Sequence, residues 1–320
     1  MIYRIIALCL TMLVTQASLL PIKVHSAEKK VAIMWVGKSA MTKRVMLGFT
    51  REIKKIAPKL QITRSMEIAS MNDGEKQFYS FENTMDGIVF LRSNGAKFLA
   101  KLGRPAKVPC FVGGCNNPAF LGAVKNLEAP EGKITGVTYF IPFDKRFNVI
   151  RALFPKVKSV GLLLEKGHPG STIDRQGTRA QCERWGIAYH EIVAKNSSEL
   201  LAGVKEIIDK IDLLILSSTA VVMDSATALL VHTNPAKKPI FSYSEKPVNF
   251  AAVAALASRD QYLGAMLAES VVDVVVRGKP VSQIPVKMDP NPRLIVNVKM
   301  MKALGLEFSS NLLAHAKQIN

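Results

Sequence analysis

The stretch DGIVFL (residues 86–91) is a short, continuous apolar run that follows a single acidic residue. Parallel strands that are buried on both faces have this pattern, without the polar alternation of a half-exposed strand. A second stretch of the same character, DLLIL (212–216), begins 126 residues further along the chain. The two stretches predict that one α/β unit occurs twice.

Further strand-like runs repeat at nearly the same offset. Val31 corresponds to Val160 and Pro109 corresponds to Pro239, at offsets of 129 and 130 residues. Longer stretches with apolar residues at helical spacing lie between these runs, and 320 residues are enough for two domains. The pattern predicts an α/β fold of two doubly wound parallel-sheet lobes, each with helices on both faces of its sheet.

Polar loops follow most of the predicted strands, at the edge where open α/β sheets bind ligands. Each Ser, Thr or Asn in these loops also fits a helix cap. Together, hydroxyl and amide donors beside helix N-termini favour a carboxylate or a similar anion. A ligand ammonium group would need Asp260 or Glu245, although Asp260 also suits a helix cap and Glu245 a solvated position. The candidate ligand-binding residues are Ser39, Ser93, Asn94, Asn116, Asn117, His168, Ser217, Ser218, Thr219, Tyr243 and Asp260.

The chain carries 43 Lys and Arg against 25 Asp and Glu, and this formal charge of +18 favours anionic surroundings. Its first 27 residues have the pattern of a signal peptide: a short basic start, an apolar run over 5–14 and small residues near Ala27. We expect cleavage after Ser26 or Ala27, with a cut after Ala17 and an uncleaved anchor as alternatives. Export predicts a periplasmic protein without a nucleic-acid partner, and no later run is apolar and long enough to cross a membrane.

Signatures of catalysis are missing from the sequence. It has no Gly-x-Ser-x-Gly elbow, Walker loop, His-Glu-x-x-His or Gly-x-Gly-x-x-Gly motif. We therefore expect a protein that is not an enzyme and that has no cofactor or metal. Three cysteines follow the predicted signal peptide, and Cys110 and Cys115 either pair across the short turn between them or stay buried as small apolar side chains, like Cys182.

Several ordered motifs resemble the ABC-type substrate-binding proteins whose best-known members bind tryptophan or tyrosine. They are KITGVT (133–138), FPKVKSVG (154–161), DQYLG (260–264), RGKP (277–280) and LIVNVK (294–299). The likeness covers most of residues 83–308. One departure lies at Arg92-Ser93-Asn94-Gly95, where the family usually has Thr-Pro-Ala-Ala. Because such positions shape the pocket, the resemblance does not predict an aromatic amino acid as the ligand of this chain.

The resemblance implies a type I periplasmic-binding fold whose lobes are joined by crossover strands. It assigns residues 28–140 with about 262–284 to an N-terminal lobe, and residues 141–261 with about 292–320 to a C-terminal lobe. The implied function is a monomeric receptor that closes on a small polar molecule and delivers it to an ABC permease in the inner membrane. A periplasmic sensor subunit that reports the ligand to a signalling partner is the alternative, and an exported enzyme on the same scaffold is disfavoured.

Overall fold

The computed structural model describes residues 28–320, and the predicted signal peptide lies outside these residues. The strands are β1 (Lys30–Val36), β2 (Gln61–Ile68), β3 (Gly87–Leu91), β4 (Cys110–Cys115), β5 (Ile134–Thr138), β6 (Ser159–Glu165), β7 (Ala188–Ala194), β8 (Leu213–Leu216), β9 (Ile240–Ser242), β10 (Ala254–Ala257), β11 (Lys287–Met288), β12 (Arg293–Asn297) and β13 (Lys317–Ile319). The helices are α1 (Ala40–Ile56), α2 (Met71–Glu82), α3 (Arg92–Ala100), α4 (Phe143–Leu153), α5 (Pro169–Trp185), α6 (Ser197–Ile207), α7 (Ala220–Ser225), α8 (Leu230–Thr233), α9 (Asp260–Val271), α10 (Val298–Ala303) and α11 (Ser310–His315).

The strands form two sheets, which define two lobes. The N-terminal lobe has the order β11-β5-β4-β3-β1-β2, and the C-terminal lobe has the order β13-β12-β10-β9-β8-β6-β7. The chain passes between the sheets three times: from β5 to α4, from β10 to α9, and from β11 to β12. Two lobes joined by crossovers are the fold that the resemblance implied.

The sheets are mostly parallel, as predicted, with one antiparallel pair between β10 and β12. Strand β12 enters the C-terminal sheet directly from β11 of the other lobe and runs opposite to its neighbour β10.

Helices cover both faces of each sheet. In the N-terminal lobe, α1 and α9 pack on one face around Phe49 and Leu267, while α2 and α3 pack on the other around Phe78 and Leu99. In the C-terminal lobe, α4 and α5 share a core with α10, and α6 and α7 cover the opposite face. This double cover explains why the strands are continuous apolar runs in the sequence.

Helices α1 and α9 approach each other through glycines. A Cβ atom at Gly48 would overlap the backbone of Gln261, and one at Gly264 would overlap the carbonyl oxygen of Val45. The close approach brings the start of α9, which begins at Asp260, beside Arg44 of α1. Both residues lie at the edge that faces the C-terminal lobe.

Two boundaries differ from the sequence-based expectation. Residues 92–95 form the first turn of α3 instead of a loop, and β4 continues through residues 113–115. Cys110 and Cys115 therefore stand at the two ends of one strand, too far apart for a disulfide, and both are free and buried. Burial raises the pKa of each of these thiols to about 12. Within residues 28–320, no helix combines the length and the apolar character that a membrane span needs.

Candidate ligand-binding cleft

A cavity of about 260 Å³ lies between the two lobes, at the carboxyl ends of the strands. From the N-terminal lobe, Ser39 caps α1 and Ser93 lies in the first turn of α3. From the C-terminal lobe, His168 caps α5 and Ser218 follows β8. Helix N-termini and strand ends of both lobes therefore meet around one space, as the arrangement of open α/β sheets requires.

Six of the residues selected from the sequence line this cavity. They are Ser39, Ser93, His168, Ser218, Tyr243 and Asp260. The hydroxyl of Ser218 donates to the carbonyl oxygen of Tyr243 at 3.0 Å, and this bond fixes its position at the cavity wall.

The other selected residues lie elsewhere. Ser217 and Thr219 are buried behind the wall and hydrogen-bond to each other at 3.1 Å. Asn117 accepts hydrogen bonds from the backbone of Ala119 and Phe120 and holds a turn. Asn94 lines a separate depression between α2 and α3, because the helix starts earlier than the sequence suggested and turns this side chain away from the cleft.

Asn116 connects the two lobes directly. Its backbone N–H donates to Ser93 Oγ at 3.1 Å, and its side-chain amide donates to Asp174 Oδ1 of α5 at 3.2 Å. Both Asn116 and Asp174 are buried. Asn116 is thus a contact between lobes at the back of the cleft and not part of the cavity wall.

Two buried charged side chains of the C-terminal lobe, Arg146 and Asp174, were not predicted from the sequence. The guanidinium of Arg146 stacks on the ring of Tyr243, with its central carbon 4.2 Å from the ring centroid. It also donates to the carbonyl oxygens of Ile141 and Leu256, at 3.3 and 3.1 Å. We call Arg146, Asp174 and Tyr243 the floor cluster, since they lie beneath the cleft.

Burial controls the ionisation of the floor cluster. It raises the pKa of Asp174 to about 6, although Arg146 and the hydrogen bond from Asn116 act in the opposite direction. Burial also lowers the pKa of Arg146 and raises the pKa of Tyr243, whose hydroxyl is 2.8 Å from Thr178 Oγ1. The cluster places an arginine and a titratable carboxyl directly behind the ligand space.

The carboxylates at the cavity wall each have a cationic partner. Asp260 accepts from Arg44 Nε at 2.7 Å, and burial raises the pKa of Asp260 against the effect of this arginine. Asp224 pairs with Lys246 at 3.0 Å. Glu245 pairs with Lys317 at 2.7 Å.

Arg92 is the second feature that the sequence did not reveal. It has a φ of +74°, in the left-handed region that disfavours a side chain, and its Nη1 donates to the carbonyl oxygen of Val36 at 2.5 Å. Burial lowers the pKa of Arg92, while Tyr139 and Glu165 raise it. His168 lies nearby, and burial lowers its pKa as well. Only the departure from Thr-Pro-Ala-Ala at residues 92–95 could have drawn attention to this arginine.

Within residues 28–320, no cluster of His, Cys, Asp and Glu side chains has the arrangement needed to hold an ion.

Comparisons with known proteins agree on the family. A "Tyrosine-binding protein" of Clostridioides difficile is 23% identical over 260 residues, which cover 76% of this chain and 75% of that protein. An ABC domain from Streptococcus pneumoniae, solved in complex with L-Trp, superposes with a TM-score of 0.80 at 19% identity, over 92% of this chain and 100% of that one. A ligand-free, open substrate-binding protein with adhesive properties from Clostridium difficile superposes with a TM-score of 0.75 at 22% identity, over 91% and 99%.

The two solved structures share the fold of two α/β lobes described above. Residues 50–320 match the family described as "ABC transporter substrate binding protein", which is most of the chain. The protein therefore belongs to the family of ABC transporter substrate-binding proteins.

Proposed function

We propose that this protein is the receptor of an ABC importer, which binds a small polar molecule in the periplasm and delivers it to a permease in the inner membrane. The observation that carries the proposal is the cavity between the lobes, whose polar wall is contributed by both of them. A ligand in that space contacts Ser93 on one side and Ser218 on the other. Binding there links the lobes, which is what a receptor that signals occupancy by closing requires.

The hinge in this proposal consists of the three crossovers. The lobes correspond to residues 28–140 with about 262–284, and 141–261 with about 292–320. Because crossovers are few and short, the lobes can rotate while their sheets remain intact. The ligand stabilises the closed arrangement by its greater affinity for it.

The ligand in this proposal is amino-acid-like or carries a carboxylate. The hydroxyl groups of Ser39, Ser93 and Ser218 surround a space of a size that suits a small molecule. A relative named for tyrosine binding and a neighbour solved with L-Trp support a molecule of similar size. We propose that the receptor acts as a monomer, without a nucleic-acid partner.

The proposal is tested with a small-molecule extract of the source cells. The purified protein is incubated with the extract, separated from unbound molecules and examined by native mass spectrometry and thermal melting. We expect a specific adduct of low mass and a higher melting temperature. Neither an adduct nor a thermal shift with any extract would contradict a receptor function.

A variant of the cavity wall tests whether the adduct binds in the cleft. Ser218→Ala removes a hydroxyl from the wall, and the loss of one hydrogen bond to a buried polar ligand weakens binding by roughly three- to tenfold. Ser198→Ala, an exposed serine on α6, is the matched control and leaves the affinity unchanged.

A further inference from the structure

We propose that the ligand of this cleft has a net negative charge and that the guanidinium of Arg92 binds its acidic group. This inference rests on the proposed receptor function and narrows the class of ligand. Small dicarboxylates and acidic amino acids belong to that class, whereas tyrosine and tryptophan, which are neutral zwitterions, do not.

The charged side chains at the cavity wall do not balance one another. Four cationic side chains face the space, namely Lys38, Arg44, Arg92 and Lys246. Arg44 forms an ion pair with Asp260, and Lys246 forms one with Asp224. The third wall carboxylate, Glu245, forms an ion pair with Lys317. Across residues 28–320, no carboxylate lies within ion-pair distance of Arg92 or Lys38, so positive charge is left over.

Arg92 has donor groups that the protein leaves available to a ligand. Its side chain is half-buried in the wall, and its one hydrogen bond to protein within the described chain goes to the carbonyl oxygen of Val36. A guanidinium has five donor N–H groups, so most of its donors remain for a ligand. No carboxylate of the described chain lies within ion-pair distance of this half-buried cation, and an anionic ligand would supply a partner at that distance.

The backbone at Arg92 is strained, because its φ lies in the left-handed region, and non-Gly residues in this conformation cluster at functional sites. Opposite Arg92, Gly37 also has a positive φ of +70°, and a Cβ atom there would lie 3.1 Å from Arg92 Nη1. The strained arginine and the glycine together place the guanidinium at the end of the cavity between Ser39 and Ser93.

Neighbouring groups make this end of the cavity suitable for an anion. The side chains of Ser39 and Ser93 are neutral hydrogen-bonding groups, and His168 across the cleft has a pKa lowered by burial. Glu165 is near enough to raise the pKa of Arg92, but its Oε2 accepts a hydrogen bond from the backbone N–H of Val221 at 3.2 Å. A neutral zwitterion adds no net negative charge to offset Arg92 and Lys38, whereas a dicarboxylate or an acidic amino acid does.

The experiment separates the cell extract by charge. An anion-exchange column at pH 7 gives an anionic fraction and a fraction of neutral, zwitterionic and cationic molecules, and each is tested by thermal melting. Succinate, L-glutamate, L-tyrosine and L-tryptophan are measured in parallel by calorimetry as defined probes. We expect the anionic fraction to raise the melting temperature and the strongest defined probe to be an anion.

Variants of Arg92 assign the effect to this side chain. Arg92→Gln keeps a donor for Val36 but removes the charge, and binding of the anionic probe should weaken by about 10- to 100-fold. Arg92→Lys keeps the charge without the bidentate geometry and should recover part of the affinity. Arg51→Gln, which removes an exposed charge from α1, should bind like the wild type. Denaturant titration of each variant without probe separates loss of affinity from loss of stability.

Two results would overturn the inference while the receptor function stands. The first is a thermal shift that comes only from the non-anionic fraction, and the second is an anionic probe that binds Arg92→Gln as tightly as the wild type. If neither fraction shifts the melting temperature, the receptor function itself is contradicted, as stated in the preceding section.

Discussion

At the scale of single residues, the floor cluster is the part of the site with the most unusual chemistry. Asp174 is a buried carboxyl that holds Asn116 of the other lobe, and burial raises its pKa to about 6. When the lobes separate, this carboxyl meets water and its pKa returns toward the value of a free aspartate. Proton binding at Asp174 therefore favours both the folded state and the contact between the lobes.

This shift predicts a pH dependence of stability. Because the folded-state pKa lies above the unfolded value, the folded protein holds more protons between about pH 4 and pH 6. Asp174 favours folding below that range, and its contribution is lost as the pH rises through about 6. Asp174 accounts for up to about 3 kcal/mol of the change in the free energy of unfolding over this pH range.

Asp174→Asn is the variant that tests this prediction, because an asparagine cannot titrate and can still accept from Asn116. Urea unfolding of both proteins at pH 5 and pH 7 should show a steeper fall in the free energy of unfolding for the wild type. Equal pH profiles for the two proteins would show that Asp174 is not the group responsible.

Only some residues of the site could be predicted from the sequence. Ser39, Ser93 and Ser218 were found because they follow strands, and strand ends are visible as the limits of apolar runs. Arg146 and Asp174 lie inside amphipathic helices, where charged residues normally face water, so nothing in the pattern marks them as buried. Their burial depends on packing between α4, α5 and β9, which only the folded chain shows.

At the scale of elements, close contacts decide how the site is held. The contact between α1 and α9 depends on Gly48 and Gly264, and it places Arg44 next to Asp260. The crossovers are also joined to one another. Asp289, in the third crossover, accepts hydrogen bonds from the backbone and the side chain of Arg259, in the second crossover. Ser258, which precedes Arg259, donates to the carbonyl oxygen of Tyr139, in the first crossover.

Replacing Gly264 by alanine tests the helix contact. In an open helix position this change stabilises a protein by up to about 1 kcal/mol, because alanine is the better helix former. In α9 the new methyl group meets the Val45 carbonyl, so we expect the opposite sign, a loss of about 1–3 kcal/mol or more. Thermal or urea unfolding that shows a gain in stability would contradict the close contact.

Replacing Asp289 by alanine tests the link between crossovers. Its side chain is fully buried and accepts from Arg259 Nη2 at 2.7 Å and from Asn291 N at 3.0 Å. Burial alone would raise the pKa of Asp289, but the hydrogen bonds from Arg259 and Asn291 hold it below its usual range. Removing this carboxylate leaves several donors unpaired and should cost about 3 kcal/mol of unfolding free energy.

The exposed pair of Lys125 and Glu131 gives the control for this change. Glu131→Ala should cost less than about 1 kcal/mol, since solvent screens such a pair. Equal losses from the two variants in urea unfolding would mean that the link between crossovers adds nothing specific.

Most elements could be predicted from the sequence. The repeated strands at 86–91 and 212–216 were found because they are buried on both faces and are therefore continuous apolar runs. The start of α3 was missed, because Gly95 in its first turn resembles a loop residue. Gly95 is needed there because a Cβ atom would lie 2.8 Å from the carbonyl oxygen of Phe90.

At the scale of the whole molecule, the central feature is a pair of lobes connected by three crossovers with a polar cavity between them. A ligand that contacts both lobes stabilises the arrangement in which they are close. The free energy gained is RT ln(1 + [L]/Kd), or about 2.7 kcal/mol at a ligand concentration 100 times Kd.

Small-angle X-ray scattering tests whether binding changes the shape of the molecule. With saturating extract fraction or defined probe, we expect a smaller radius of gyration together with the higher melting temperature. The control is the Arg92→Gln variant, which should need a probe concentration about 10- to 100-fold higher for the same compaction. A higher melting temperature without any compaction would support binding but contradict closure between the lobes.

The most direct test of the account is a crystal structure of the protein after incubation with the fraction that raises its melting temperature. The account predicts density for one small molecule in the cavity between the lobes, with an acidic group at Arg92 and contacts to Ser93 on one side and Ser218 on the other. Density for the molecule outside this cavity, or in contact with only one lobe, would contradict it.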